Sequence, residues 1–354
     1  MRQLFDTVPV DSEAEERAWA VVRDAFAARD PVPARRRLVG PAVVLAAAAL
    51  LAAALSPPGR AVVNAVRRSI GIEGAQPALF RLPAAGRLLV SGAGGTWVVA
   101  ADGSTRRLGD YVQASWSPHG LFVVAATRNE LAAVEPATGR VHWQLARPIV
   151  SFPRWGGMRA DTRVAYLTDG RLHVVAGDGT GDRAVSSSRI APVWQPGTSR
   201  HVLAYVDLAG NLRLVGAPFV SRAYAGARAL AWSPDGKTLA LAARGEVVLF
   251  AVATGRARVL HVADVRSLAF ARDGRLAMLR ARSVIVGGRT LFVAPSRLAG
   301  IAWSPTGRWL LTSLPDADQW VFVQTRGVRR VLAVSHIRGQ FGGEPSLDGW
   351  ASGQ

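Results

Sequence analysis

A short unit, an aromatic residue followed by a Ser-Pro-x-Gly turn, recurs down this chain and restricts its fold more than any other feature. The clearest copy is LAWSPDGKTLALA at residues 230–242. Leu230, Ala231 and Trp232 form a short apolar run, and Ser233-Pro234-Asp235-Gly236 is a four-residue turn. Pro234 pre-sets φ at the second position, while Asp235 and Gly236 accept the conformations that reverse a chain. Residues 237–242 then send Leu239 and Leu241 to one face and Thr238 to the other, which is strand alternation. Aligned on the aromatic, the copies are Trp116 (SWSPHG), Trp155 (FPRWGG), Trp194 (VWQPG), Trp232, Phe270 (AFARDG) and Trp303 (AWSPTG). Their separations are 39, 39, 38, 38 and 33 residues. A degenerate copy, ALFRLPAAGRLLV, puts Arg81 at the same place, 35 residues before Trp116.

Each copy holds more than one hairpin. The best contains four predicted strands, at 228–232, 238–243, 246–252 and 256–262, with Ala253-Thr254-Gly255 as the last turn. The second matches it, with strands at 113–116, 121–127, 130–135 and 141–146. Four short antiparallel strands at a period near 40 are the signature of a propeller blade. In these residues the chain resembles the TolB-type and WD-repeat-like β-propellers, over residues 77 to about 337. The Gly-His and Trp-Asp pairs of true WD repeats are missing, which favours the TolB-like branch. The whole layout also resembles a group of actinobacterial single-pass membrane propeller proteins, a resemblance that implies architecture and no activity.

The expected fold is therefore all-β, a seven-bladed β-propeller over residues 77–354, with six blades as the runner-up. Closing the ring leaves no long sheet edge bare. Residues 346–350 of the tail either add a strand to the first, weakest blade or remain an unpaired end.

The part before the repeats reads differently. Residues 1–37 carry seven Arg against seven carboxylates, and within them residues 11–29 form an amphipathic helix. Asp11 or Ser12 caps it, Glu13, Glu15 and Glu16 complement its dipole, and Trp19, Val22 and Phe26 share one face. That face is a candidate binding surface for a cytosolic partner; lying on the membrane or on a dimer mate is the simpler alternative. Residues 38–55, LVGPAVVLAAAALLAAAL, carry no charge and meet the lower limit for a transmembrane helix. Arg35, Arg36 and Arg37 before the span favour a cytoplasmic N-terminus. A cleaved signal peptide is the competing reading, but the leader is long and carries its own acidic helix, so a retained signal-anchor is favoured. Residues 56–76 are expected to be a juxtamembrane linker with a short helix, with 71–76 as a hinge.

Composition excludes several chemistries. With no cysteine there is no disulfide, thiolate metal site or cysteine nucleophile. The formal charge of +18 all arises after residue 55, as 36 basic against 18 acidic residues. Only Lys237 is a lysine, a bias that reflects base composition, so the charge carries little weight for nucleic acid as a partner. The six histidines show no metal-ligand spacing, and there is no G-x-S-x-G elbow. Gly236-Lys237-Thr238 lacks the earlier glycine of a phosphate loop. Asp178 and Asp182, in a glycine-rich loop, supply too few oxygens for calcium and read as a hairpin. Asp161, Asp235, Asp264 and Asp273 beside repeat turns are expected to bond backbone amides. The repeated tryptophans are expected between sheets, because their spacing tracks the structural repeat. Asp316, Asp318 and Trp320, outside that register, form the candidate surface contact.

No catalytic residue, cofactor or metal is expected. The favoured reading is a cell-membrane protein whose extracytoplasmic propeller is a non-catalytic protein-binding or ligand-sensing module. Its expected partner is another envelope protein or an anionic surface, the latter favoured by the electropositive ectodomain. A transmembrane regulator of anti-sigma type, with the residue 11–29 helix holding a cytosolic partner, is the alternative. A propeller hydrolase or lyase comes third, and would need His, Asp or Glu from three or more blades to converge.

Overall fold

In the computed structural model, residues 72–76, 81–217 and 219–352 are described. The expectations for Trp19, Val22, Phe26 and the span at 38–55 lie outside these residues. Among the described residues no helix is long and apolar enough to cross a membrane.

The strands form seven sheets, each an antiparallel meander running from an inner to an outer edge. Blade 2 comprises Gln113–Trp116, Val123–Ala126, Glu130–Val134 and Val141–Ala146. Blade 3 comprises Val150–Met158, Asp161–Thr168, Arg171–Ala176 and Arg183–Ser187. Blade 4, with the shortest inner strand, runs Val193–Trp194, Leu203–Val206, Asn211–Val215 and Val220–Ala223. Blade 5 comprises Ala229–Trp232, Thr238–Ala243, Glu246–Ala251 and Arg256–Leu260. Blade 6 comprises Ser267–Phe270, Leu276–Leu279, Ser283–Val286 and Arg289–Val293, and blade 7 Ala299–Trp303, Trp309–Leu314, Gln319–Gln324 and Val331–Ser335.

Blade 1 is built from both ends of the ring. Arg87–Gly92, Gly95–Val99 and Thr105–Gly109 come from the start, and the inner strand is Ser346–Ala351 from the tail. The tail is thus the latch. This corrects the degenerate copy at Arg81: that residue is exposed, and the seventh aromatic is Trp350. Trp350 pairs with Leu88 as Trp116 pairs with Val123, Trp232 with Leu239 and Trp303 with Leu310. The latch lay outside the repeat alignment because its partner strand, Arg87–Gly92, is more than 250 residues away along the chain.

A second difference concerns residues 71–76, expected as a hinge. Ile72–Gln76 is a strand, lying parallel to Val331–Ser335 on the outer edge of blade 7. An outer strand presents unpaired N–H and C=O groups, and this segment covers them.

The turn chemistry explains the recurring motif. Ser117, Ser233 and Ser304 are buried polar residues. Their hydroxyls accept the backbone N–H of Phe122, Thr238 and Trp309 at 3.0, 2.9 and 3.0 Å. The closing glycines, Gly120, Gly236 and Gly307, have φ near +67°, +68° and +67°, which a side chain would strain. Their N–H groups donate to the carbonyls of those same serines.

Between sheets there is no continuous ladder, so side chains join the blades. The indole N–H of Trp194 donates to the Arg154 carbonyl at 2.9 Å, Trp232 to Val193 at 3.2 Å and Trp303 to Ala269 at 3.0 Å. Each acceptor directly precedes the aromatic of the preceding blade. At Gly156 a Cβ would overlap the Trp194 ring, so glycine permits that approach. Arg87 of blade 1 lies over the Trp116 ring at 5.0 Å and donates to the Gly120 carbonyl at 2.6 Å. Arg275 of blade 6 repeats this on Trp303 and Gly307, at 5.2 and 2.7 Å.

Trp350 also belongs to the core cluster that joins blades 7 and 1. Replacing it with alanine is expected to destabilise the protein by about 3–5 kcal/mol, read from urea unfolding. Removing residues 346–354 should abolish the cooperative transition, because the inner edge of Arg87–Gly92 loses its partner.

Candidate functional site

Seven inner strands surround an axial channel, and their side chains alternate between the inter-sheet core and that channel. At the end carrying the Ser-Pro turns the channel opens into a cavity of about 670 Å³. It is lined from blades 1, 2, 6 and 7, with Ser115, His119, Arg272, Ser304 and Asp348 among its polar groups. A space of this size suits a small ligand or a side chain of a partner.

Two opposite charges occupy the channel walls. Asp348 stands on the inner strand of blade 1, and Arg154 on that of blade 3. Blade 2 lies between them, and each feels the charge of the other. Both side chains are half-buried. Asp348 accepts a hydrogen bond from the Ser91 hydroxyl. Burial pushes its carboxyl up to about 7, against the Ser91 bond and the attraction of Arg154, which pull it down. Burial also lowers Arg154, while Asp348 opposes that shift. Blades 2 and 3 are joined here by Gln113, whose carbonyl oxygen accepts the Phe152 N–H at 2.5 Å, and by Ser115, which accepts that of Trp155 at 3.3 Å.

A second polar cluster clasps blades 2 and 3 away from the axis. Arg147 donates to Asp182 at 2.7 Å and Tyr166 donates to it at 2.8 Å, with His173 at 3.3 Å. Burial alone would raise the Asp182 carboxyl, but the bonds from Arg147 and Tyr166 and the nearby His173 outweigh it and hold it low. Burial and the same carboxylate push the Tyr166 hydroxyl up. Asp182 therefore belongs to a structural network, while Asp178 accepts from the N–H and hydroxyl of Thr180 within its own turn. The two carboxylates of that glycine-rich loop thus serve separate roles. Among the described residues no group of three or more His, Asp or Glu converges.

The other expected positions divide. Trp320, expected at the surface, is 0% exposed: it stacks on Phe341 at 5.1 Å within the core shared by blades 7 and 1. It lies mid-sheet, where period-2 alternation turns it inward although its loop neighbours face out. Asp318 is half-buried in the left-handed conformation, and its carboxylate accepts the Arg338 N–H at 2.8 Å at the start of a short helix, Ile337–Phe341. Asp316 alone of the three is exposed. Asp235 and Asp273 accept backbone N–H groups as expected, from Lys237 and Arg275. Asp161 differs, bonding the His201 ring at 2.7 Å across blades 3 and 4. Sequence reasoning missed Asp348 and Arg154, since neither sits in a motif. The only signal was a lone charge on each inner strand.

With this geometry in view, no protein family matches the chain, and no curated protein matches it. Solved structures are similar in fold. The β-propeller domain of Cps50 (Swd1) from Myceliophteria thermophila is 12% identical, with 66% of this chain and 88% of that one covered at a TM-score of 0.55. A chain of a mitotic checkpoint complex is 17% identical, covering 70% and 86% at 0.54. A functionally unknown protein from Desulfotomaculum acetoxidans is 13% identical, covering 74% and 99% at 0.56. At these identities the likeness establishes the β-propeller fold alone.

Two measurements probe the polar clusters. The Asp348 value lies above the ordinary 3.8, so the folded state binds a proton that the unfolded state releases between about pH 4 and pH 7. Its burden is absent below pH 4, grows through that window and is constant above pH 7. Asp348→Asn should leave the unfolding free energy unchanged at pH 4 and raise it at pH 8, by at most about 4 kcal/mol. Asp182→Ala strands Arg147 and Tyr166 and should cost about 3 kcal/mol by urea denaturation.

Proposed function

We propose that the chain is a single-pass membrane protein whose propeller acts outside the cytoplasm as a non-catalytic binding module. The observation that carries this is the use of the polar groups. The turn serines, Asp182, Asp235 and Asp273 are all engaged in holding turns and blades together. The loops at the two ends of the ring carry many exposed arginines among polar residues, which suits recognition. The propeller likeness supports a protein partner, and the TolB-type resemblance of the repeats suits a role in the cell envelope. The apolar run 38–55 behind Arg35, Arg36 and Arg37 supports the anchor and its orientation.

A transmembrane regulator is the second reading, favoured by the Trp19, Val22 and Phe26 stripe, which an anchor alone would not need. Fractionation tests the first. Full-length protein should stay with membranes after alkaline wash, and protease added outside the cytoplasmic membrane should digest the propeller. Protein recovered in the soluble cytoplasm would overturn the proposal. For the regulator, Trp19→Ala/Phe26→Ala in the full chain should release a cytosolic partner crosslinked to the wild type, with membrane association unchanged.

A further inference from the structure

An antiparallel meander fixes which loops share an end of the ring. In every blade the turn between the second and third strands, and the connection to the next blade, lie at the end opposite the Ser-Pro turns. At that end blades 5 and 6 gather six arginines. Arg228 and Arg266 directly precede inner strands, Arg244, Arg280 and Arg282 occupy second-to-third turns, and Arg297 lies in the connection leaving blade 6. All but Arg280 are exposed. Main-chain bonds hold their segments side by side: Arg228 to Ala242 at 2.9 Å, Arg244 to Ala225 at 3.0 Å and Arg266 to Leu279 at 2.7 Å. Leu298, next to Arg297, likewise donates to Ala281 at 2.8 Å. Arg280 Nε is steadied by the Ala263 carbonyl at 3.0 Å.

None of the six has a carboxylate at ion-pair distance among the described residues. Asp264 is the one acid in the five segments that carry them. The third strand of blade 5 adds Glu246, which faces Arg222 instead. An arginine-rich composition alone would spread charge evenly, and it does not. At the same end blades 7 and 1 present Asp316, Asp318, Glu344 and Asp110 against Arg338, while blades 2 and 3 present Arg128, Arg171 and Arg189 with Asp169. The positive charge is therefore densest over blades 5 and 6, where it forms an arc.

Guanidinium forks match carboxylate and phosphate oxygens in pairs, which lysine does not. The surroundings narrow the choice. No phenylalanine, tyrosine or tryptophan is among the exposed large apolar residues, so no platform for stacking bases is present among the described residues. The exposed large apolar residues of blades 5 and 6 are the single valines Val259 and Val293, too little for insertion into a bilayer. We propose that this arc binds a carboxylate-rich polypeptide segment of a partner protein, which rests on the binding-module reading and gives it a surface and a chemistry.

The test uses the full chain in nonionic detergent with fluorescein-labelled polyglutamate, followed by anisotropy. One variant neutralises the arc, Arg244→Gln/Arg266→Gln/Arg282→Gln/Arg297→Gln. A matched control removes the same charge at the opposite end, Arg140→Gln/Arg256→Gln/Arg289→Gln/Arg308→Gln, all likewise exposed. The arc variant should lose affinity about ten-fold or more with a shallower salt dependence, and the control less than about two-fold. Equal loss in both would overturn the arc, as would no binding by wild type. Tighter binding of single-stranded DNA or phosphatidylglycerol vesicles than of polyglutamate would also overturn it. A unfolding midpoint unchanged in both variants confirms that folding is not being read. Failure here with membrane association intact removes the arc alone; soluble cytoplasmic protein removes the wider reading and leaves this measurement standing.

Discussion

Adjacent blades share no hydrogen-bonded ladder, and the ring depends on what passes between their sheets instead. The aromatic carried by each inner strand meets this need. It presents a large apolar area to the neighbouring sheet, and in three cases its indole N–H reaches the carbonyl before the preceding aromatic. Arg87 and Arg275 cover the outer faces of two of these rings and tie the next Ser-Pro turn with the same side chain. The motif is thus a structural device, in which serine closes the turn, glycine reverses it and the aromatic couples it to a neighbour.

A ring assembled from local units has one long-range event, which is closure. Here it takes place within blade 1, where Ser346–Ala351 pairs with Arg87–Gly92 and delivers Trp350 to the position that six other aromatics hold. The short helix at Ile337–Phe341 sends Phe341 against Trp320 and Trp97, so the connection entering the latch is packed as well as hydrogen-bonded. Closure also creates the channel charge. Asp348 arrives with the last strand and finds Arg154 on the far side of blade 2, where burial makes its carboxylate costly to ionise.

The expected strands of blades 2 and 5 match the structure to within two residues at each end, because turn residues and period-2 alternation are both local signals. Trp116, Trp194, Trp232 and Trp303 end inner strands, as their spacing required. The candidate site was far less legible. Trp320 looked like a loop residue because acidic neighbours surround it, whereas pairing with Ser313 and Val334 turns its ring into the core. Asp348 and Arg154 carry no motif, since what makes them a pair is the angle through which two blades turn.

The sequence by itself determined the blade, its period, its turn chemistry and the uneven placement of charge before and after residue 55. Those properties reside in stretches of a few to about forty residues, where propensity and alternation act. Tertiary structure alone decided that the tail supplies the seventh aromatic, that Ile72–Gln76 extends blade 7, and that arginines from five segments meet over blades 5 and 6. Each of these joins residues that are far apart along the chain, and their proximity follows from the closed circle rather than from any local preference.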